Sequence, residues 1–290
     1  MATDHRPEAA VRVDRRRVEA NGLTFDVFAG GPADGAPVLL LHGFPQDSGE
    51  WDLLTPGLHR AGLRTYALDQ RGYSPGARPA AVADYRMAHC VADVVAVLDA
   101  LGVAAVHLVG HDWGALVAWQ VAARHPERVR TLTAVSVPHP RAAVRALRHP
   151  SQLLRSSYIA LFRRAGLAER LLLARGGAAL RSMMRQAGPR RAERYAATMR
   201  EPGRLTGGLN WYRAASLADL DDLGPVTVPT TYVWSTRDPA LGPVGALRCG
   251  RYVTGGYRFV VLRGISHWIP DEAPDVLADV VLHRVGSVPA

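Results

Sequence analysis

The segment that most constrains the fold is residues 106–114, where the apolar run Val-His-Leu-Val precedes Gly-His-Asp-Trp-Gly. A strand that leads through small residues into a helix forms a sharp turn, which holds the central side chain above the sheet edge. Here that side chain is the carboxylate of Asp112. A carboxylate attacking an ester gives a strained anhydride, whereas attack on an sp3 carbon gives an alkyl ester that water can cleave. Asp112 therefore favours opening of an epoxide or displacement of a halide over acyl chemistry.

Short apolar strands alternate with helical segments along much of the chain. A hairpin is predicted over 14–28, broken at Asn21-Gly22. Further strands are predicted over residues 37–41, 64–68, 107–109, 129–137, 229–234 and 257–262. Helices are predicted over residues 87–101, 113–124 and 273–284. This α/β alternation predicts a mostly parallel central sheet flanked by helices on both faces.

The strand–helix alternation is interrupted once. Residues 138–220 are rich in arginine and helical in pattern, with no convincing strand. We therefore predict a core domain of residues 1–137 and 221–290 and an inserted helical cap (lid) domain of residues 138–220. Such an insertion lies over the carboxyl ends of the strands, where open α/β sheets have their active sites.

The composition of the 290-residue chain, with 48% hydrophobic and 21% charged residues, is ordinary for a globular enzyme. Cys90 and Cys249 are too few for a disulfide framework, which favours a reduced, cytoplasmic setting. Residues 1–17 lack the apolar centre of a signal peptide, and no run is long enough to span a bilayer. We expect no stable membrane insertion.

The formal net charge of +9 comes from arginine alone, because all 35 basic residues are arginine and the chain has no lysine. Between Arg141 and Arg213, sixteen arginines face only three glutamates. A basic segment can attract anionic substrates, membranes or nucleic acid. A solvated helical surface is the favoured interpretation, and docking of the cap on an anionic surface is an alternative. No helix-turn-helix or basic strand with interleaved aromatics supports a nucleic-acid partner.

Two further residues complete a catalytic triad with Asp112. Asp238 follows the strand that ends at Trp234, and His267 follows the strand that ends at Leu262. Side chains on loops just past strand ends reach the same rim of a sheet. Asp238 would orient His267 and stabilise its charged form, and His267 would deprotonate water.

The turn His42-Gly-Phe-Pro45 follows the strand at 37–41. A glycine-rich turn there can aim a backbone amide into the site, so the N–H groups of Phe44 and Trp113 are predicted to form the oxyanion hole. In an aspartate enzyme this hole serves the second step, when water attacks the ester carbon. The other histidines show no converging spacing, so no metal site is predicted.

These motifs resemble those of α/β-hydrolase fold epoxide hydrolases, a group with an aspartate nucleophile that is related to the haloalkane dehalogenases. The resemblance extends over nearly the whole chain. The stretches that carry it are His42–Pro45, Asp69–Pro79, Gly110–Gly114, Trp234–Asp238 and Ser266–Trp268. It implies an epoxide hydrolase without cofactor or metal, acting on a small-molecule epoxide.

The resemblance also implies that two cap tyrosines act as acids. Epoxide hydrolases of this kind hold the epoxide oxygen with two phenols, and Tyr158 and Tyr212 stand in segments similar to theirs. A phenol assists because unassisted opening expels an alkoxide, a poor leaving group. Trp211 and Trp268 are expected to contact the substrate.

Three other classes of protein share part of this sequence pattern. A haloalkane dehalogenase would use the same triad, but it needs a second halide donor, and Phe44 occupies one of the usual positions. A haloacetate dehalogenase places an arginine after the nucleophile, where Trp113 stands here. A non-catalytic ligand-binding member of the fold usually loses part of the triad, which this chain keeps.

Overall fold

A computed structural model describes residues 13–289 of the chain. Its centre is an eight-stranded sheet, whose strands are β1 Asp14–Ala20, β2 Leu23–Gly30, β3 Ala36–Leu41, β4 Leu63–Leu68, β5 Val106–His111, β6 Val129–Val135, β7 Thr230–Ser235 and β8 Tyr257–Leu262. Their order in the sheet is β1-β2-β4-β3-β5-β6-β7-β8, in which β2 is antiparallel to both neighbours and β3 to β8 are parallel. The predicted fold class is confirmed.

The predicted hairpin forms at Asn21-Gly22. Both residues have positive φ angles, 49° and 73°, as a two-residue turn between twisted strands requires. Ala20 then pairs directly with Leu23, which sets the antiparallel register of the whole hairpin.

Alternate residues of the central strands feed two cores on opposite faces of the sheet. The core helices are α1 Thr55–Arg60, α2 Met87–Ala100, α3 Trp113–Arg124, α11 Pro243–Ala246, α12 Ile269–Glu272 and α13 Pro274–Val285. Leu39 and Leu41 pack on the face that α2 and α3 cover, whereas Val38 and Leu40 pack on the face that α1 and α13 cover. The short helices α1, α11 and α12 were not predicted, because four to six residues are too few for helical periodicity to show.

Seven helices connect β6 to β7. They are α4 Pro140–Ala146, α5 Pro150–Arg155, α6 Tyr158–Phe162, α7 Leu167–Met183, α8 Pro189–Thr198, α9 Arg204–Ala214 and α10 Leu217–Asp221. Residues 174–177 interrupt α7 with non-helical dihedral angles. These helices span residues 140–221, close to the predicted residues 138–220, which are called the cap.

Many cap arginines pair with carboxylates, and several of those belong to the core. Arg194 and Arg204 contact Asp47 at 2.9 and 2.8 Å, and Arg191 pairs with Asp271. These three ion pairs hold the cap on the core and neutralise part of its positive charge.

Within residues 13–289, no helix combines the length and the apolar character that crossing a membrane requires. Cys90 and Cys249 are buried free thiols.

Candidate active site

The turn between β5 and α3 positions Asp112. Its φ and ψ angles are 51° and −118°, a strained conformation for a residue with a side chain. A Cβ atom on Gly114 would lie 2.0 Å from the carbonyl oxygen of Leu41, so only glycine fits there. The small residues of the motif thus let α3 approach β3 closely while the carboxylate projects above the strand ends.

The structure brings the three predicted triad residues together. His267 Nε2 lies 3.4 Å from Asp112 Oδ2, and His267 Nδ1 lies 2.7 Å from Asp238 Oδ2. The other oxygen of Asp238 accepts hydrogen bonds from the amides of Ala240 and Leu241, each at 2.8 Å. Asp238 is thereby fixed, and it orients the imidazole so that Nε2 faces Asp112.

The charges of the triad depend on one another. Burial opposes a charge on His267, yet the nearby Asp238 and Asp112 carboxylates outweigh it and raise the pKa of His267 to about 10. Burial also opposes ionisation of Asp112, but the hydrogen bond and the charge of His267 lower the pKa of Asp112 below its usual value. In the free protein, Asp112 is therefore an ionised carboxylate paired with an imidazolium.

The turn after β3 supplies an amide to Asp112. The Phe44 N–H donates a hydrogen bond to Asp112 Oδ1 at 2.9 Å. A Cβ atom on Gly43 would lie 2.4 Å from the Asp112 Cβ, so this turn also needs a glycine. Trp113 is the first residue of α3, and a first helical N–H has no acceptor within its helix. The Phe44 N–H thus lies against the Asp112 carboxylate, and the part of the Trp113 N–H in the oxyanion hole stays a prediction.

Both predicted tyrosines face the same space as Asp112. Tyr158 begins α6, Tyr212 lies in α9, and their ring centroids are 6.2 Å apart. Burial, and then the charge of Asp112, raises the pKa of Tyr158; burial, with Tyr158 and Asp112 nearby, raises the pKa of Tyr212 well above its usual value. The two phenols therefore stay protonated at neutral pH and can donate hydrogen bonds.

Two cavities reach Asp112, Tyr158 and Tyr212. The first, of about 180 Å³, has walls that include Val144, Leu147, Ile159, Leu217, Leu220 and Leu241. The second, of about 290 Å³, has walls that include Phe44, Phe162, Leu172, Met183, Pro239 and Trp268. Both are mainly apolar, so the reacting groups sit between two hydrophobic compartments.

The two tryptophans expected to contact substrate lie in different places. Trp268 lines the second cavity. Trp211 lines neither cavity, because its ring packs behind Trp113, at 5.6 Å between centroids. Its indole N–H donates to the carbonyl oxygen of Arg71 at 2.8 Å.

Glu50 and His111 form a buried pair that the sequence did not single out. His111 Nδ1 lies 3.1 Å from Glu50 Oε2, and His111 Nε2 lies 2.9 Å from the carbonyl oxygen of His267. Burial lowers the pKa of His111 to about 3 and raises that of Glu50 well above its usual value, so the contact is a hydrogen bond between neutral groups. The pair supports the backbone of His267. The position of His111, next to the nucleophile, was the one available signal.

In residues 13–289, no group of three or more histidine, cysteine, aspartate or glutamate side chains is arranged to hold a metal ion. His107 instead contacts the Thr131 hydroxyl, and His139 contacts the carbonyl oxygen of Gly224.

Comparison with known proteins agrees with this geometry. A family model described as the alpha/beta hydrolase fold matches residues 36–274. Epoxide hydrolase A of Mycobacterium tuberculosis is 32% identical over 92% of this chain and 95% of its own length. An AB hydrolase superfamily protein of Bacillus subtilis, YfhM, is 32% identical over 91% of this chain and 95% of its own. The crystal structure of an epoxide hydrolase from Bacillus megaterium, in complex with an inhibitor, matches with a TM-score of 0.85 and 26% identity, covering 93% of this chain and 100% of that one.

These similarities show that the chain belongs to the α/β-hydrolase family and, within it, to the epoxide hydrolases.

Proposed function

We propose that this protein converts an epoxide and water to a vicinal diol through an ester on Asp112. The observation that carries the proposal is the placement of an ionised Asp112 and two protonated phenols, Tyr158 and Tyr212, around the same cavities. An anionic nucleophile and a pair of acids are the two things that opening an unactivated epoxide requires.

In the first step, an Asp112 oxygen attacks an epoxide carbon and the carbon–oxygen bond breaks. The departing oxygen takes a proton from Tyr158 or Tyr212, so no free alkoxide forms. Esterification removes the negative charge of Asp112, one of the two carboxylates that raise the pKa of His267. The imidazolium therefore becomes more acidic and releases the proton that restores the tyrosine.

In the second step, neutral His267 acts as the base. It removes a proton from water, whose oxygen attacks the ester carbon of Asp112, and the N–H groups of Phe44 and Trp113 stabilise the oxyanion. Collapse of this intermediate breaks the bond between the carboxyl carbon and the alkyl oxygen. The departing alkoxide takes the second proton of the water, which gives the diol, and one water oxygen stays on the ionised Asp112. Asp238, hydrogen-bonded to Nδ1 at 2.7 Å, keeps the imidazole oriented throughout.

The site offers less to a dehalogenase. A departing halide needs two hydrogen-bond donors, and the side chain at Phe44 supplies none. The indole N–H of Trp211, the other candidate, is already bonded to the Arg71 carbonyl oxygen. The similarity of this chain to two epoxide hydrolases also favours an epoxide over a haloalkane as the substrate.

Three finer assignments belong to the same proposal. Residues 138–220 act as a cap, because they carry Tyr158 and Tyr212 over Asp112. The reaction uses no cofactor, since the triad and the phenols supply nucleophile, acid and base. The buried free thiols of Cys90 and Cys249 favour a reduced, cytoplasmic setting.

One turnover in heavy-oxygen water tests the mechanism. With enzyme in excess over styrene oxide, the label is expected in the Asp112 carboxylate, read by peptide mass, and the diol is expected to be unlabelled. His267→Gln is expected to accumulate the hydroxyalkyl ester on the peptide that contains Asp112. Label that enters the diol directly would overturn the covalent route.

A further inference from the structure

Two cap arginines line the cavities that reach Asp112, and they differ in what their guanidinium groups contact. Arg155, in the second cavity, donates to the carbonyl oxygen of Asp238 at 2.6 Å. Arg163, in the first cavity, makes no side-chain hydrogen bond and no ion pair with the part of the chain that the structure describes. Arg163 is exposed. It therefore keeps an uncommitted charge at the rim of the catalytic space.

The position of Arg163 relative to the reacting groups follows from α6. Tyr158 begins this helix and Arg163 directly follows its last residue, so a rise of about 1.5 Å per residue separates their backbones by roughly 7–8 Å. The wall of the first cavity also includes the apolar side chains of Ile159, Leu217 and Leu220. The first cavity therefore has an acid and a nucleophile inside, an apolar wall along its length and a cation at its rim.

The surroundings of Arg163 add positive charge. Arg163 also lines an open groove between the core helices α2 and α3 and the cap, together with Arg86 and Arg124. Two carboxylates line that groove, Asp99 and Asp222. Asp99 pairs with Arg128 at 2.8 Å, and neither carboxylate forms an ion pair with Arg163. An anion that arrives at this rim meets a free guanidinium.

We propose that Arg163 binds the carboxylate of the substrate, which is a carboxylic acid whose apolar chain fills the first cavity and whose epoxide lies at Asp112. A guanidinium matches a carboxylate with two parallel hydrogen bonds, and the apolar wall matches the intervening chain. This inference rests on the proposed epoxide hydrolase function and names its substrate class.

The test compares ω-epoxy alkanoic acids with their primary amides at matched chain length, measuring diol formation. In the unaltered enzyme, kcat/KM for the acid is expected to exceed that for the amide by about tenfold, the factor that one charge-assisted contact supplies. Arg163→Gln is expected to bring this acid-to-amide ratio close to one. Arg163→Glu is expected to place the amide ahead of the acid and a matching ω-epoxy amine ahead of both.

Arg164→Gln is the matched control, because Arg164 is the adjacent exposed arginine and lines neither cavity. Its acid-to-amide ratio is expected to equal that of the unaltered enzyme. Equal ratios in the unaltered enzyme and Arg163→Gln, or equal losses in the Arg163 and Arg164 variants, would overturn the subsite. Diol from the amides with no preference for acids overturns the subsite alone, whereas absence of diol from every epoxide overturns the proposed function itself.

Discussion

Arg204 of the cap and Asp47 of the core form a buried ion pair, with Arg204 Nη2 2.8 Å from Asp47 Oδ2 and side chains only 6% and 5% exposed. Asp47 lies three residues after Phe44, whose amide holds the nucleophile. Arg204 begins α9, the helix that carries Tyr212. This ion pair thus joins the turn at residues 42–45 to the helix that carries Tyr212, one of the two phenols proposed to bind the epoxide.

Removing the cation from this pair is expected to lower stability strongly. In Arg204→Met the Asp47 carboxylate stays buried and, within residues 13–289, keeps only Arg194 as a charged partner, which should lower the free energy of unfolding by about 3 kcal/mol. Urea denaturation measures this. Arg200→Met is the control, since Arg200 is 45% exposed, and its change should stay within about 0.5 kcal/mol. Similar small changes in both variants would contradict the buried clamp.

Replacing the phenols is expected to slow one chemical step selectively. Tyr158→Phe and Tyr212→Phe each remove one proposed donor to the epoxide oxygen, and each should slow ester formation by roughly 10- to 100-fold, the loss of one hydrogen bond to a charged group. Rapid-quench single turnovers, with the Asp112 ester followed by mass, separate this step from hydrolysis. The hydrolysis rate should change little, because the phenols do not contact the ester carbonyl. An equal slowing of both steps would argue against an acid role.

The raised pKa of His267 depends on Asp112, so Asp112→Ala should lower it below about 10. Imidazole resonances followed by NMR across a pH titration report this directly. Because the folded pKa exceeds the ordinary 6.5, the ion pair contributes its full stability below about pH 6.5 and loses it as pH rises through 10. The unaltered protein should therefore lose more stability over that window than Asp112→Ala. Asp14→Ala, at an exposed carboxylate, is the control, and an unchanged His267 pKa in Asp112→Ala would refute the coupling.

A substitution at Gly43 tests how closely the turn at residues 42–45 approaches Asp112. Its added Cβ would lie 2.4 Å from the Asp112 Cβ, so Gly43→Ala must displace the carboxylate or the turn. A misplacement of about 1 Å costs roughly 100-fold in rate, and kcat/KM should fall by at least that factor. Gly224→Ala is the control, because no atom lies within 4 Å of its added Cβ. Comparable activity in both variants would show that the turn has room to move.

Much of the fold and the triad could be predicted because their determinants are local. Gly110 and Gly114 lie within four residues of one another, and the strand that precedes them is read from its own apolar run. Asp238 and His267 are distant in sequence, but each follows a parallel strand, and parallel strands bring their carboxyl ends to one edge. The sequence by itself therefore determined the sheet and the strand ends at which Asp112, Asp238 and His267 lie.

Only the tertiary structure decided which side chains of the cap and its neighbours face the cavities. Trp211 and Trp268 looked equally suited to contact substrate, yet docking of α9 turns the first toward Arg71 and leaves the second in a cavity wall. Arg163 and Arg204 are both arginines of helical segments in the cap. Arg163 is exposed at the rim of the first cavity, whereas Arg204 is buried against Asp47. Helical periodicity assigns a residue to a face of its own helix, whereas its partner depends on how that helix packs against residues more than a hundred positions away.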